Sequence, residues 1–210
     1  MTEYRIPTVA GESEYVEKRS RFLGHVRHVE TEDEAREFIA EMKKKYYDAR
    51  HNCWCYIIRD GAERYSDDSE PQGTAGIPML EVFRREGVDS VVCVVTRYFG
   101  GVLLGAGGLL RAYTKSAKDA LDDAGISLVR RWAETETVCS YAQCERLKQE
   151  IAAAGGVAGE TEYGAAVTLR ALVPEELTES FCARIFDASA GSVSVKVTGQ
   201  ALRAVPLTKE

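Results

Sequence analysis

Apolar and polar positions alternate in short stretches at the start of the chain, so residues 4–9, 14–18 and 21–29 read as three strands. The rhythm then changes. Between Thr31 and Tyr47, the apolar residues Ala35, Phe38, Ile39 and Met42 recur at helical spacing. Thr31 followed by Glu34 has the pattern of a capping box. Residues 51–59 carry the run Cys53-Trp54-Cys55-Tyr56-Ile57-Ile58, apolar on both faces, which predicts a strand deep in a sheet. Asp60-Gly61 turns it toward a short strand at 63–65. Residues 66–76 are polar and contain glycine, hence loop, and Pro78 stands near the start of a helix ending around Arg85. Residues 90–96 are β-branched and apolar, a second interior strand. From Ala106 to Ala124, the spacing of Leu110, Tyr113, Ala117, Leu121 and Ala124 predicts an amphipathic helix closed by Gly125.

The remainder reads as a separate unit. A strand at 132–140, a helix at 142–154 stopped by Gly155-Gly156, strands at 157–163 and 165–173, a helix at 175–188 and a strand at 192–198 follow one another. This is the β-α-β-β-α-β order of the ferredoxin-like motif. The expected fold class is therefore α+β in two domains, 1–131 and 132–210, with the boundary where a strand runs on through Arg130-Arg131.

Composition narrows the function classes. With 45% hydrophobic and 29% charged residues, the chain is globular rather than disordered. A net charge of −6, with both halves acidic, excludes a nonspecific basic coat for nucleic acid but leaves room for a local basic face. No apolar run approaches the roughly 20 residues of a membrane span, and Met1-Thr2-Glu3-Tyr4-Arg5-Ile6-Pro7 has no apolar signal segment, so a cytoplasmic protein is expected. The six cysteines lie apart among apolar neighbours with no C-x-x-C pair, which predicts buried thiols rather than a zinc site or a disulfide framework.

Three segments carry unusual chemistry. Residues 96–111 place Gly100, Gly101, Gly105, Gly107 and Gly108 between an interior strand and a helix. Such glycines let backbone N–H groups approach an anion at a helix N-terminus, and Arg97 and Arg111 flank the loop. Tyr98 stands beside it, and Arg111, Lys115 and Lys118 form a stripe along the following helix, with Asp119 and Asp122 adjoining. The stretch is neither a P-loop nor a dinucleotide fingerprint, and a tight strand–helix connection would also use glycine. In the second segment, Arg50 precedes His51, Cys53 and Cys55, which share one face of a strand; a buried thiol below a histidine is the simpler account than a nucleophile and its base. The third, the acidic loop, offers Asp67, Asp68 and Glu70 to Mg²⁺, although its spacing fits no calcium loop, and Thr74 reads as a helix cap.

Taken together, Lys18-Arg19-Ser20-Arg21-Phe22, Asp48-Ala49-Arg50-His51-Asn52-Cys53-Trp54, the acidic loop from Ser66 to Gly76 and the Gly-rich stretch from Val95 to Leu109 resemble the YigZ/IMPACT family in its bacterial two-domain form. Ser69 departs from the pattern, where glycine is more frequent. The resemblance implies a first domain with the fold of the second domain of a small-subunit ribosomal protein and of elongation factor G domain IV, a fold that admits a left-handed βαβ crossover. It implies a second domain like elongation factor G domain V. Eukaryotic relatives regulate translation under amino-acid starvation by binding the ribosome-associated activator of an initiation-factor kinase; they carry a different partner domain, which this chain lacks, so that exact role is not expected to transfer. The expected function is thus a noncatalytic translation-associated regulator contacting RNA, the ribosome or a ribosome-associated protein, with no cofactor, metal, membrane or catalytic residue assigned. The binding residues would be Arg97, Tyr98, the five loop glycines, Arg111 and Lys115, with Arg50, His51, Asp67, Asp68, Glu70 and Thr74 as a second site. The alternative is a small-molecule or nucleotide phosphate-binding enzyme using the same loop with Mg²⁺ held by Asp67 or Asp68. Oligomeric state is left open.

Overall fold

Two strands covered on both faces organise the first unit of the computed structural model, which describes residues 3–207. They are β4 (His51–Ile57) and β6 (Val91–Tyr98), paired antiparallel with Cys55 opposite Cys93. Around them lie β2 (Gly11–Glu17), β3 (Ser20–His28) and β5 (Glu63–Ser66), in the order β2-β3-β6-β4-β5 with every neighbour antiparallel. Helix α1 (Glu32–Lys45) covers one face, burying the expected Ala35, Phe38, Ile39 and Met42 against Tyr56, Val92 and Val94. Helices α2 (Gly76–Glu86) and α3 (Gly105–Ala124) cover the other, with Met79, Phe83, Tyr113 and Leu121 against Phe22, Cys53, Cys55 and Cys93. The period-2 apolar runs of β4 and β6 thus divide their side chains between two cores.

Local signals account for most boundaries. Thr31 Oγ1 accepts from Glu34 N–H and starts α1, while the Glu34 carboxylate reaches Glu30 N–H (2.7 Å), one residue before the expected box partner. Lysines 43–45 close the helix at its negative end. Helix α2 begins two residues before Pro78, which occupies the third helical position, where a missing N–H costs nothing. Strand β1 (Tyr4–Pro7) is followed by Thr8 and Val9, whose N–H groups bond to Gly125 and Ala124.

The topology has a handedness consequence. Strands β3 and β4 are parallel to each other across β6, joined through α1; β5 and β6 are parallel across β4, joined through α2. The two connections run in opposite directions on strands of opposite sense, with their helices on opposite faces, so they have opposite hands. One of them is left-handed, against the strong general preference.

The second unit, built on residues 129–203, contains most of β7 (Ile126–Cys139), then α4 (Tyr141–Ala153), β8 (Val157–Tyr163), β9 (Val167–Pro174), a single 3₁₀ turn, α5 (Thr178–Ala188) and β10 (Val195–Pro206). Its sheet order β10-β7-β9-β8 is the ferredoxin-like arrangement, with Leu147, Ile151, Phe181 and Ile185 from the helices packed on Val167, Leu169 and Val173. Ser140 and Gln143 form a capping box at α4. Strand β7 begins at Ile126 rather than near Trp132, because Ser127, Val129 and Trp132-Ala133 all turn inward while Arg130 and Arg131 only interrupt the apolar alternation. Among the described residues the six cysteines are free, five of them buried.

Helix α3 lies directly on the backbone of β2 and β3. A Cβ on Gly24 would stand 2.6 Å from Ser116 O, and one on Gly11 2.2 Å from Ala120 O. Gly24→Ala should therefore lift the helix and cost about 1–3 kcal/mol, seen as a lowered urea midpoint. An unchanged midpoint would show that α3 is free to shift.

Candidate functional site

The acidic loop, residues 66–76, is held rigidly against the sheet by its own carboxylates. Asp67 accepts from the N–H groups of Gly73 (2.8 Å), Ala75 (3.1 Å) and Gly76 (2.8 Å), which makes it the anionic cap of α2. That helix has no acid in its first turn and no cap from its adjacent residue, so a side chain nine positions upstream does the work. Thr74, expected to cap it, instead donates to Pro71 O (2.6 Å). Asp68 accepts from Asn52 N–H (2.7 Å) and pairs with Lys43 Nζ (3.1 Å), while its carbonyl lies 2.8 Å from His51 Nδ1. These two carboxylates serve the fold and diverge. Among the described residues no group of three His, Cys, Asp or Glu side chains is placed to hold a metal ion, so the Mg²⁺ arrangement considered for Asp67, Asp68 and Glu70 is not formed.

Glu70 does something different. Its side chain is 3% exposed, and Oε1 accepts from Arg97 Nη1 (2.6 Å) and Tyr113 Oη (2.9 Å). Arg97, equally buried, also donates to Ser20 Oγ (3.4 Å), and its guanidinium lies between the Phe22 and Phe99 rings, 5.4 and 5.6 Å from their centroids. An ion pair this buried survives only because its hydrogen bonds offset much of the desolvation of both charges. Arg97 is therefore a neutralised wall, not the exposed half of a fork with Arg111. Cys53 sits beneath, its S–H facing Asp67 O (3.0 Å) and Tyr113 Oη (3.4 Å). Burial pushes this thiol far above its ordinary range and, with Cys53 and Glu70 beside it, does the same to the Tyr113 hydroxyl, which disfavours the ionised form of both.

Above the pair opens a cavity of about 370 Å³. Arg50 and His51 enter it from the start of β4, Glu70 and Arg97 form its floor, and Phe99, Leu103, Leu104 and the first residues of α3 close its side. Gly105, at φ +70°, lets the chain turn straight into the helix. Among the described residues no side chain is bonded to the first N–H groups of α3, no acid occupies its first turn, and Gly105, Ala106 and Gly107 are exposed. The positive end of a 20-residue helix thus opens beside Arg50.

The structure brings Arg97 and Gly105 together with Arg50, His51 and Glu70, merging the two sites expected from sequence into one. The other expected residues lie elsewhere. Gly100 packs on the β2–β3 turn, where a Cβ would stand 2.1 Å from the Arg19 carbonyl carbon, and its N–H bonds to Ser20 Oγ. Tyr98 donates to Asp48 (2.8 Å). Gly101 belongs to the connection, and Gly107, Gly108 and Arg111 to the first two turns of α3 outside the cavity lining. Lys115 pairs with Asp119 (2.8 Å) and Lys118 with Asp122 (2.6 Å), which weakens the basic stripe. Ser20 and Tyr113 were missed as site residues; Tyr113 reads as an ordinary core position until its hydroxyl is seen to need a partner.

A family model described as Impact N-terminal domain matches residues 18–121, and one described as Domain of unknown function (DUF1949) matches 137–192. A Bacillus subtilis protein, IMPACT family member YvyE, is 38% identical over 189 residues, covering 89% of this chain and 87% of that one. The chain belongs to the IMPACT family. Another IMPACT family member, YigZ of Escherichia coli, is 34% identical over 85% of this chain and 89% of its own. The rat Protein IMPACT is 31% identical over 48% of this chain but only 33% of itself. The crystal structure of a hypothetical protein aligns with a TM-score of 0.59 at 31% identity, over 95% of this chain and 98% of that one. In this IMPACT family protein the matched N-terminal segment contains every residue of the cavity floor.

Two outcomes follow for this IMPACT family chain. Arg97→Ala leaves Glu70 buried without its cation and should cost about 3–5 kcal/mol in urea unfolding, whereas replacing both partners with apolar residues should cost much less. Ser69 has φ +71°, a conformation that glycine adopts freely, so Ser69→Gly should raise stability by about 1 kcal/mol, read as a higher Tm.

Proposed function

We propose that this IMPACT family protein is a noncatalytic, translation-associated regulator that holds an RNA phosphate at the open N-terminus of α3. The observation that carries the proposal is that uncapped first turn, exposed at the edge of a cavity with Arg50 beside it. Free N–H groups and the helix dipole favour an anion there. Because Glu70 already neutralises Arg97, the positive potential for a ligand comes from the helix end and Arg50, with exposed Arg111 in the second turn of α3. The translation-associated part of the reading rests on the family. We read residues 1–131 and 132–210 as its two domains, comparable to elongation factor G domains IV and V. The opposed crossovers and the ferredoxin-like strand order support that comparison. The full burial of Cys53 and the structural employment of Asp67 and Asp68 support a binding role over a catalytic one.

Co-sedimentation of the full chain with ribosomes across a salt series tests this. The expected result is association that weakens steeply with salt, and an Arg50→Ala variant that binds more weakly with a log–log salt slope reduced by about 1. Arg50 is exposed, so the variant keeps the fold. Absence from ribosomal fractions at low salt, or indifference to Arg50→Ala, would overturn the proposal.

A further inference from the structure

Among the described residues, two acceptors on side chains that line the cavity have no hydrogen-bond donor. His51 is only 9% exposed, and its Nδ1 lies 2.8 Å from Asp68 O; a carbonyl can only accept, so Nδ1 carries the proton. In the neutral ring this leaves Nε2 as an acceptor. Glu70 takes both Arg97 and Tyr113 on Oε1, which leaves Oε2 bare. Among the described residues neither His51 Nε2 nor Glu70 Oε2 has a hydrogen-bond partner, and both side chains line the cavity. His51 Nε2 and the Glu70 carboxylate stand 3.9 Å apart at Oε1. With the two groups this close, adjacent hydroxyls of one vicinal diol can donate to both, and carboxylates recognise ribose hydroxyls elsewhere.

The rest of the cavity supplies what a diol-bearing ligand would need on its other sides. The first turn of α3 and Arg50 offer donors to an anion, and Phe99, 44% exposed, offers a ring on which a flat base can stack. A volume of about 370 Å³ lies near the small end of the roughly 300–1,000 Å³ range of ligand pockets, which suits one nucleotide and excludes a duplex. We infer that the cavity recognises a single ribonucleotide with a free 2′,3′-diol: hydroxyls donating to His51 Nε2 and Glu70, phosphate on the first turn of α3, base against Phe99. This inference rests on the phosphate reading of the same site and names its ligand. Within RNA a free diol occurs at the 3′-terminal nucleotide; outside RNA it occurs in a nucleoside 5′-monophosphate.

Calorimetric titration of the full chain separates the possibilities. The probes are adenosine 5′-monophosphate, its 2′-deoxy and 3′-deoxy analogues, and a five-residue oligoadenylate ending in either a 3′-diol or a 3′-phosphate. The inference expects each deoxy analogue to bind about 10-fold more weakly than the monophosphate, and the 3′-phosphate oligomer more weakly than its diol counterpart. Tighter binding of the diol oligomer than of the monophosphate identifies an RNA end; the reverse identifies the free nucleotide. His51→Asn keeps an amide N–H at the Nδ1 position for Asp68 and removes Nε2, so it should reduce the discrimination against one deoxy analogue to about 2-fold. If that variant does not fold, the analogue series on the native chain decides. Equal affinity for the monophosphate and both analogues would overturn the diol recognition while leaving the phosphate reading intact. No binding of any probe, together with salt-sensitive ribosome association lost in Arg50→Ala, would likewise overturn the diol alone. No binding without ribosome association would overturn both.

Discussion

A carboxylate and a guanidinium buried together set the terms for everything around them. Glu70 and Arg97 are 27 positions apart, one on a polar loop and the other at the end of an interior strand, and each is costly to bury without the other. Their pairing anchors the loop over the sheet, and Tyr113 ties the same oxygen to α3. The remaining carboxylates complete the attachment: Asp67 fastens the loop to the start of α2, and Asp68 fastens it to the start of β4. Three elements that border the cavity are thereby held by one short segment, so the cavity is formed before any ligand arrives.

The same arrangement bears on the anion site proposed for this acidic chain. Internal neutralisation removes Arg97 from the electrostatics of the surface, and the lysines of α3 are answered by aspartates one turn away. What is left is local and directional: the end of a helix dipole, exposed Arg50 at the cavity and exposed Arg111 in the second turn of α3. Net charge is therefore a poor guide to this site, because the relevant field is set within a few ångströms.

The parts of the fold legible in the sequence are those with local causes. The buried face of α1, the doubly covered β4 and β6, and the ferredoxin-like order all follow from period and capping, which act over a few residues. Long-range partnerships were not legible. Nothing local in Asp67 marks it as the cap of a helix nine residues on, and nothing in Glu70 points to Arg97 rather than a cation in solvent. The Gly-rich stretch marks the approach to α3, and glycine serves two ends there: Gly100 allows close backbone packing, and Gly105 the turn into the helix. Ser69 shows the converse, a position where the expected preference for glycine meets a left-handed backbone filled by another residue.

The opposed crossovers of the first unit bear on how such a chain arose. Copying a βαβ segment and joining the copies end to end relates them by a rotation and a translation, and both operations preserve handedness. Only a reflection exchanges the hands, so no rotation and translation can superpose two crossovers of opposite hand. The segments β3-α1-β4 and β5-α2-β6 are consequently not superposable copies of one module, despite their matching order and matching one-strand skip. Their resemblance is that of two different solutions to covering the two sides of a single sheet.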